Sequence, residues 1–276
     1  MKNGRSILIF CVAIFLKTVA NAASVDTVQI FSKAMQISKK CVVILPESYQ
    51  NKKNHFPVVY LLHGYSGDYS NWIQKVPEIK DYADEFQIII VCPDGNYNSW
   101  YVDSPVDSAI KYDTYISSEV PHFIDSAYKT KPERKYRAIT GLSMGGHGAL
   151  SLAWKHPETF GAAGSMSGVQ NLVPWKSKYE LNEVLGDTTS TFVFSNYSVV
   201  TLVKNLPAEI PALIVDCGVS DPFIETNRQL HKELLQLKVP HDYIERNGTH
   251  NWNYWKNSIG FQCMFFHKYF YIEKSL

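Results

Sequence analysis

Residues 141–146 read Gly-Leu-Ser-Met-Gly-Gly, which fits the G-x-S-x-G nucleophile elbow, a serine on a sharp turn between a strand and a helix. Residues 137–140 (RAIT) are typical of a buried strand, and residues 144–156 (MGGHGALSLAWKH) carry apolar side chains at helical spacing. The pattern predicts that the hydroxyl of Ser143 projects over the carboxyl edge of a sheet, at a helix N-terminus that favours developing negative charge. A glycine-rich turn whose serine only caps the helix is the alternative.

Strand-like and helix-like segments alternate along the rest of the chain. Residues 58–62 (VVYLL) and 88–92 (IIIVC) are continuous apolar runs of the kind buried on both faces of a parallel sheet. Further strands are predicted at residues 28–31, 40–45, 162–167, 212–215 and 243–244, with helices at residues 77–86 and 112–128, through Leu230, and at the C-terminal end. This alternation predicts an α/β fold with a mostly parallel central sheet and helices on both faces, whose ligands gather at the carboxyl ends of the strands.

The first residues of the chain resemble a secretory signal. A basic start (MKNGR) precedes an apolar stretch at residues 7–16, and Ala20 and Ala22 supply the small residues that a signal peptidase requires. We therefore predict a signal peptide at residues 1–22 and a secreted or periplasmic protein. An uncleaved membrane anchor is the alternative, which the short apolar core disfavours.

Residues 23–276 are long enough for one α/β catalytic domain with a well-buried core. The net charge is +1 with basic and acidic residues interspersed, so neither a nucleic acid nor an anionic membrane is predicted as a partner. Residues 170–206 interrupt the alternation of strands and helices. They predict a cap-like insertion over the site, with a long surface connection as the alternative.

Four cysteines follow the predicted cleavage site: Cys41, Cys92, Cys217 and Cys263. The first three lie in apolar strand-like runs, where a free thiol behaves as a small core residue. We expect buried thiols rather than disulfides, although an exported protein permits disulfides. No Cys or His spacing resembles a zinc site, and neither a metal nor a cofactor is predicted.

A serine nucleophile needs a general base, and that base needs a carboxylate to orient it. In this topology the chain order is serine, acid, histidine. Two aspartates compete for the acid role: Asp216 ends a strand, and Asp221 lies in the loop that follows it. The loop position favours Asp221 and leaves Asp216 as the alternative. Among the histidines, His250 alone lies downstream of the acid in a glycine-containing loop after a strand.

The backbone N–H groups of Met144 and Tyr65 are predicted to form the oxyanion hole, because one follows the nucleophile and the other lies in the loop after an early strand. His63 precedes the serine and is predicted to fix this loop. Trp100 and Trp252 are predicted to line a substrate cleft, with ordinary core packing as the alternative.

Motifs along the chain resemble the esterase D family of α/β-hydrolases: LLHGYSGDYSNW (61–72), PDGNYNSWYVDSP (93–105), TGLSMGGHGAL (140–150), DCGVSDPF (216–223) and GTHNWNYW (248–255). The resemblance extends from about residue 40 to the C-terminus and implies the α/β-hydrolase fold. It also implies that Ser143 is the nucleophile, Asp221 the acid and His250 the base, with Tyr65 and Met144 as the oxyanion donors. This strengthens the loop aspartate over its competitor.

The family so resembled includes S-formylglutathione hydrolases, feruloyl and acetyl esterases of plant polysaccharide, and mycolyltransferases. Because export separates an enzyme from cytosolic glutathione, we predict a serine carboxylesterase that hydrolyses short acyl or feruloyl esters of plant-type carbohydrates through an acyl-enzyme. Acyl transfer to sugar hydroxyls and thioester hydrolysis use the same triad and remain alternatives. The ordered Ser, Asp and His disfavour a non-enzymatic binding module.

Overall fold

A computed structural model describes residues 23–271, so the predicted signal peptide lies outside the described residues. The described chain forms an eight-stranded sheet in the order β1-β2-β4-β3-β5-β6-β7-β8. The strands are β1 (Ser24–Ser32), β2 (Ile37–Leu45), β3 (Val58–Leu62), β4 (Ile89–Pro93), β5 (Arg137–Gly141), β6 (Ala162–Met166), β7 (Ala212–Gly218) and β8 (Asp242–Arg246). The pairs β1–β2 and β2–β4 are antiparallel, and the other neighbouring pairs are parallel.

Helices cover both faces of the sheet. They are α1 (Asn71–Lys75), α2 (Ile79–Phe86), α3 (Tyr112–Thr114), α4 (Val120–Ala127), α5 (Met144–Lys155), α6 (Leu181–Leu185), α7 (Thr191–Tyr197), α8 (Val199–Leu202), α9 (Ile224–Gln236) and α10 (Trp252–Tyr271). Because side chains alternate along a strand, Tyr60 of β3 packs in a core with α4, α5 and α9, whereas Leu61 packs in a second core with α2 and α10. The predicted α/β fold with a mostly parallel sheet is confirmed.

The four cysteines of the described chain are buried and unpaired, as expected from their apolar surroundings. Burial raises the pKa of the Cys92 thiol, which keeps it in the uncharged form of a core residue. No helix within residues 23–271 is both long and apolar enough to cross a membrane. The same residues do not bring together three or more His, Cys, Asp or Glu side chains that could hold a metal ion.

His147 ties the helix that follows the elbow to the predicted insertion. Its ring is fully buried in α5, where Nε2–H donates to the carbonyl oxygen of Tyr197 over 2.8 Å and the ring meets the edge of Trp100 at 5.8 Å. Burial lowers the pKa of His147 to about 4, because a charged imidazole would lose its hydration there. The folded protein therefore holds this histidine neutral.

This burial predicts a loss of stability on the acid side of neutrality. The unfolded chain takes up a proton on His147 below about pH 6.5 and the folded chain does not, so stability falls as the pH decreases from about 6.5 towards 4. The lowered pKa corresponds to about 3 kcal/mol of unfolding free energy at the acid end of this range. Urea denaturation at several pH values is expected to show a smaller loss in His147→Gln than in the wild type. An equal loss in both would contradict the prediction, and the exposed His122 offers a matched control in His122→Gln.

Candidate active site

The elbow places Ser143 between the end of β5 and the start of α5. Its backbone has φ 54° and ψ −119°, a conformation that L-residues adopt only when the surrounding structure imposes it. A Cβ on Gly145 would lie 2.5 Å from the carbonyl oxygen of His63, and a Cβ on Gly141 would lie 2.7 Å from the Gly145 carbonyl. The two glycines of the motif are therefore required by the close approach of the chain at this turn.

Loops after three different strands bring the predicted catalytic side chains together. Nε2 of His250 lies 3.0 Å from Oγ of Ser143, and Nδ1 of the same ring lies 2.8 Å from Oδ2 of Asp221. The other oxygen of this carboxylate accepts a hydrogen bond from the Phe223 N–H at 2.8 Å, which fixes its orientation. The arrangement forms a continuous hydrogen-bonded chain from a buried carboxylate to the serine hydroxyl.

The competing aspartate has a different set of partners. Asp216 is buried at the end of β7, where it pairs with Arg246 and accepts a hydrogen bond from Oγ of Ser258 at 2.8 Å. Burial raises the pKa of Asp216, and the charge of Arg246 opposes this effect. The carboxylate of Asp216 therefore links β7, β8 and α10, and it is Asp221 that faces His250.

Two aromatic rings enclose the imidazole of His250. Phe223 and Trp255 each contact it edge-on, with ring centroids 4.8 Å away in both cases. Sequence reasoning overlooked Phe223, although its position two residues after Asp221 in the DPF motif was a usable signal. Trp255 is buried and packs directly against the imidazole. These contacts restrict the ring to an orientation that serves both hydrogen bonds.

The two predicted oxyanion donors lie in different segments next to the elbow. Tyr65 follows β3 beside the elbow, and Met144 begins α5. Within residues 23–271, neither backbone N–H donates to an intramolecular acceptor. His63 cannot serve as the base because both ring nitrogens are occupied: Nδ1–H donates to the Gly64 carbonyl and Nε2 accepts from the Gly95 N–H, each at 2.8 Å. It fixes the loop, as predicted.

A pocket of about 290 Å³ opens beside Ser143 and His250. Its aromatic walls come from Tyr65, Trp100, Tyr179, Phe223, Trp252 and Trp255. Of the two predicted substrate-binding tryptophans, Trp252 is half-buried, whereas Trp100 is only 1% exposed and its Nε1–H donates to the carbonyl oxygen of Tyr179 at 3.1 Å. Trp100 thus holds Tyr179 in the pocket wall and exposes almost no surface of its own to a substrate.

The predicted insertion reaches the pocket through a single side chain. Of residues 170–206, all of which are described, Tyr179 lines the pocket. The helices of this segment lie between β6 and β7, and α8 packs against α5 and α9. The signal that sequence reasoning overlooked is the aromatic pair Trp175 and Tyr179, both of which contact Phe223.

A family model for esterases matches residues 32–262, which is most of the chain. The chain belongs to this esterase family. It is accordingly a carboxylic ester hydrolase, and the resemblance seen in the motifs is confirmed. In this esterase Ser143, His250 and Tyr65 line one pocket, and Nε2 of His250 lies 3.0 Å from the serine Oγ.

The esterase is similar to proteins named as esterases and to one named as an acyltransferase. It is 26% identical over 253 residues to an acetyl esterase of Caldicellulosiruptor saccharolyticus, an alignment that covers 84% of this chain and 94% of that protein. It is 26% identical over 245 residues to the diacylglycerol acyltransferase/mycolyltransferase Ag85B of Mycobacterium intracellulare, covering 75% and 73%. A solved structure of a ferulic acid esterase superposes with a TM-score of 0.78 at 29% identity, covering 90% of this chain and 99% of the other.

Proposed function

We propose that the protein is a serine carboxylesterase that hydrolyses short acyl or feruloyl esters of plant-type carbohydrates through an acyl-enzyme. The observation that carries this proposal is the hydrogen-bonded chain from Asp221 through His250 to Ser143, which opens into an aromatic pocket. The predicted signal peptide fits an enzyme that meets such esters outside the cytoplasm.

In the first half-reaction, Oγ of Ser143 attacks the ester carbonyl carbon and Nε2 of His250 takes the hydroxyl proton. The N–H groups of Tyr65 and Met144 hold the oxyanion of the tetrahedral intermediate. His250 then gives its proton to the leaving alcohol, and the acyl group remains on the serine. Asp221 stabilises the imidazolium during both proton transfers.

In the second half-reaction, His250 removes a proton from water, and the resulting nucleophile attacks the acyl-enzyme carbonyl. The intermediate collapses to release the carboxylic acid, and the proton returns from the histidine to Oγ of Ser143. The reaction consumes one ester and one water and produces one acid and one alcohol, with no cofactor in the scheme.

The pocket supports the substrate class. Aromatic side chains such as Tyr179 and Trp252 offer flat apolar surfaces on which a sugar ring or a feruloyl ring can stack. The similar proteins named acetyl esterase and ferulic acid esterase favour the same two acyl groups.

A panel of substrates tests the proposed class. We expect higher kcat/KM for acetylated xylan and methyl ferulate than for S-formylglutathione or p-nitrophenyl octanoate, with p-nitrophenyl acetate as the reference for the shared chemistry. Initial rates on each substrate give the comparison. A preference for the glutathione thioester would replace the carbohydrate assignment, and a preference for octanoate would indicate lipid esters.

Acyl transfer to a sugar hydroxyl is the second candidate, favoured by the similarity to a protein named as a mycolyltransferase. Acyl transfer and hydrolysis share the first half-reaction, so the triad does not distinguish between them. Adding free sugars during turnover and looking for acylated sugar by mass spectrometry separates them. Product that rises with acceptor concentration at the expense of free acid would establish transfer.

A further inference from the structure

A strained turn of the insertion is held rigidly against the pocket. Tyr179 and Glu180 both have φ of 54°, in the left-handed region that non-glycine residues rarely adopt. The preceding loop restrains both residues: Trp100 Nε1–H donates to the Tyr179 carbonyl at 3.1 Å, and Asn98 Nδ2–H donates to Oε2 of Glu180 at 2.9 Å. The surrounding contacts therefore impose the position of this turn.

The turn places a carboxylate beside a pocket-lining side chain. The ring of Tyr65 contacts Tyr179 at 5.6 Å and Tyr97 at 4.9 Å. Partial burial, the hydrogen bond with Tyr97 and the negative charge of Glu180 together raise the pKa of the Tyr65 phenol. The negative charge of Glu180 thus lies close to Tyr65, which lines the same pocket as Ser143.

No cation lies in the pocket wall to offset this charge. The wall formed by described residues contains neither Lys nor Arg, and it contains neither Asp nor Glu. Lys178 precedes the turn but is exposed, and its Nζ lies over the ring of Trp175 at 5.5 Å from the centroid. A second carboxylate, that of Glu183, lies 3.4 Å from Nδ2 of Asn98 and adds to the negative charge.

We propose that Glu180 is a specificity-determining residue that favours uncharged esters over esters that carry a carboxylate. Glu180 follows the pocket-lining Tyr179 directly, so an anionic substrate in the pocket meets the like charge of its carboxylate at short range, whereas an uncharged ester does not. The inference rests on the proposed function and adds a reason to expect that an anionic thioester such as S-formylglutathione is a poor substrate.

A matched pair of substrates tests the role of Glu180. The acetyl ester of methyl glucoside is uncharged, and the acetyl ester of methyl glucuronide differs by one carboxylate. We expect the wild type to prefer the glucoside in kcat/KM, and Glu180→Gln to reduce this preference about fivefold, the size expected for removing one charge at a solvated rim. The preference of the wild type is also expected to narrow as salt is added.

Two further variants test whether the change in substrate preference comes from the Glu180 carboxylate. Glu133 is exposed and precedes β5, so it lies at the amino ends of the strands, away from the pocket. Glu133→Gln makes the same change in net charge and is expected to keep the full substrate preference. Asn98→Ala removes the hydrogen bond that holds the carboxylate and is expected to reduce the preference in the same direction, by less. Melting temperatures verify that each variant is folded.

The outcomes separate this inference from the proposed function. If the wild type hydrolyses p-nitrophenyl acetate but Glu180→Gln and Asn98→Ala both leave the substrate preference unchanged, the role of Glu180 is overturned and the esterase proposal stands. A wild type that prefers the glucuronide also overturns it. A folded wild type that hydrolyses none of these esters contradicts the proposed function itself, and the inference falls with it.

Discussion

Replacing Ser143 with Ala is expected to lower kcat for p-nitrophenyl acetate by about a millionfold, the size measured when the nucleophile of a serine triad is removed. The variant loses the proposed nucleophile, the Oγ that lies 3.0 Å from Nε2 of His250. A small residual rate over the uncatalysed reaction is expected, because the oxyanion donors and the pocket remain. Stopped assays with high enzyme concentration give the residual kcat.

The fold is expected to survive this change, because within residues 23–271 the hydroxyl forms its hydrogen bond with the histidine and alanine is small enough for the same turn. Ser167→Ala is a matched control, because Ser167 is also a buried serine at the end of a strand with φ of 54°. It is expected to retain most of the activity. Labelling by a fluorophosphonate should require Ser143 and not Ser167. Activity retained by a folded Ser143→Ala enzyme would end the acyl-enzyme mechanism.

Asp221→Asn is expected to lower kcat by about ten-thousandfold, with a much smaller effect on KM. The carboxylate accepts a hydrogen bond from Nδ1–H of His250 and thereby leaves Nε2 free to take the serine proton. An amide in its place presents an N–H to Nδ1 and favours the opposite tautomer, in which Nε2 carries the proton and cannot act as a base. Steady-state kinetics with a saturating ester measure this loss.

Asp216→Asn separates catalysis from structure, because it makes the same chemical change at the competing aspartate. It weakens the buried pair with Arg246 at the junction of β7, β8 and α10. We expect about 2 kcal/mol of lost unfolding free energy, less than for a fully buried pair because the arginine is partly exposed. A kcat close to that of the wild type is expected below the melting temperature. Loss of kcat in this variant with normal activity in Asp221→Asn would reverse the assignment.

Local sequence patterns predicted the strands best where both faces of the strand are buried. The run VVYLL at Val58–Leu62 was predicted to its exact ends, because a strand buried on both faces is apolar throughout. The edge strand β1 is longer than predicted, Ser24–Ser32 against residues 28–31, since its first four residues are all exposed and form no buried apolar run that would mark a strand. The predicted helix at residues 112–128 is divided by a π-helical turn (Tyr115–Glu119), a change in hydrogen bonding that periodicity does not register.

The sequence by itself determined the elbow at Ser143, the order of the candidate triad and the loop of each member, because glycine spacing and strand ends are local properties of a chain. Only the tertiary structure decided which aspartate faces His250, which rings enclose that histidine, and which side chain of the insertion reaches the pocket. These outcomes depend on how loops from separate strands pack at the carboxyl edge of the sheet. That packing is fixed by contacts between residues far apart in sequence, such as Trp100 with Tyr179, which no local pattern encodes.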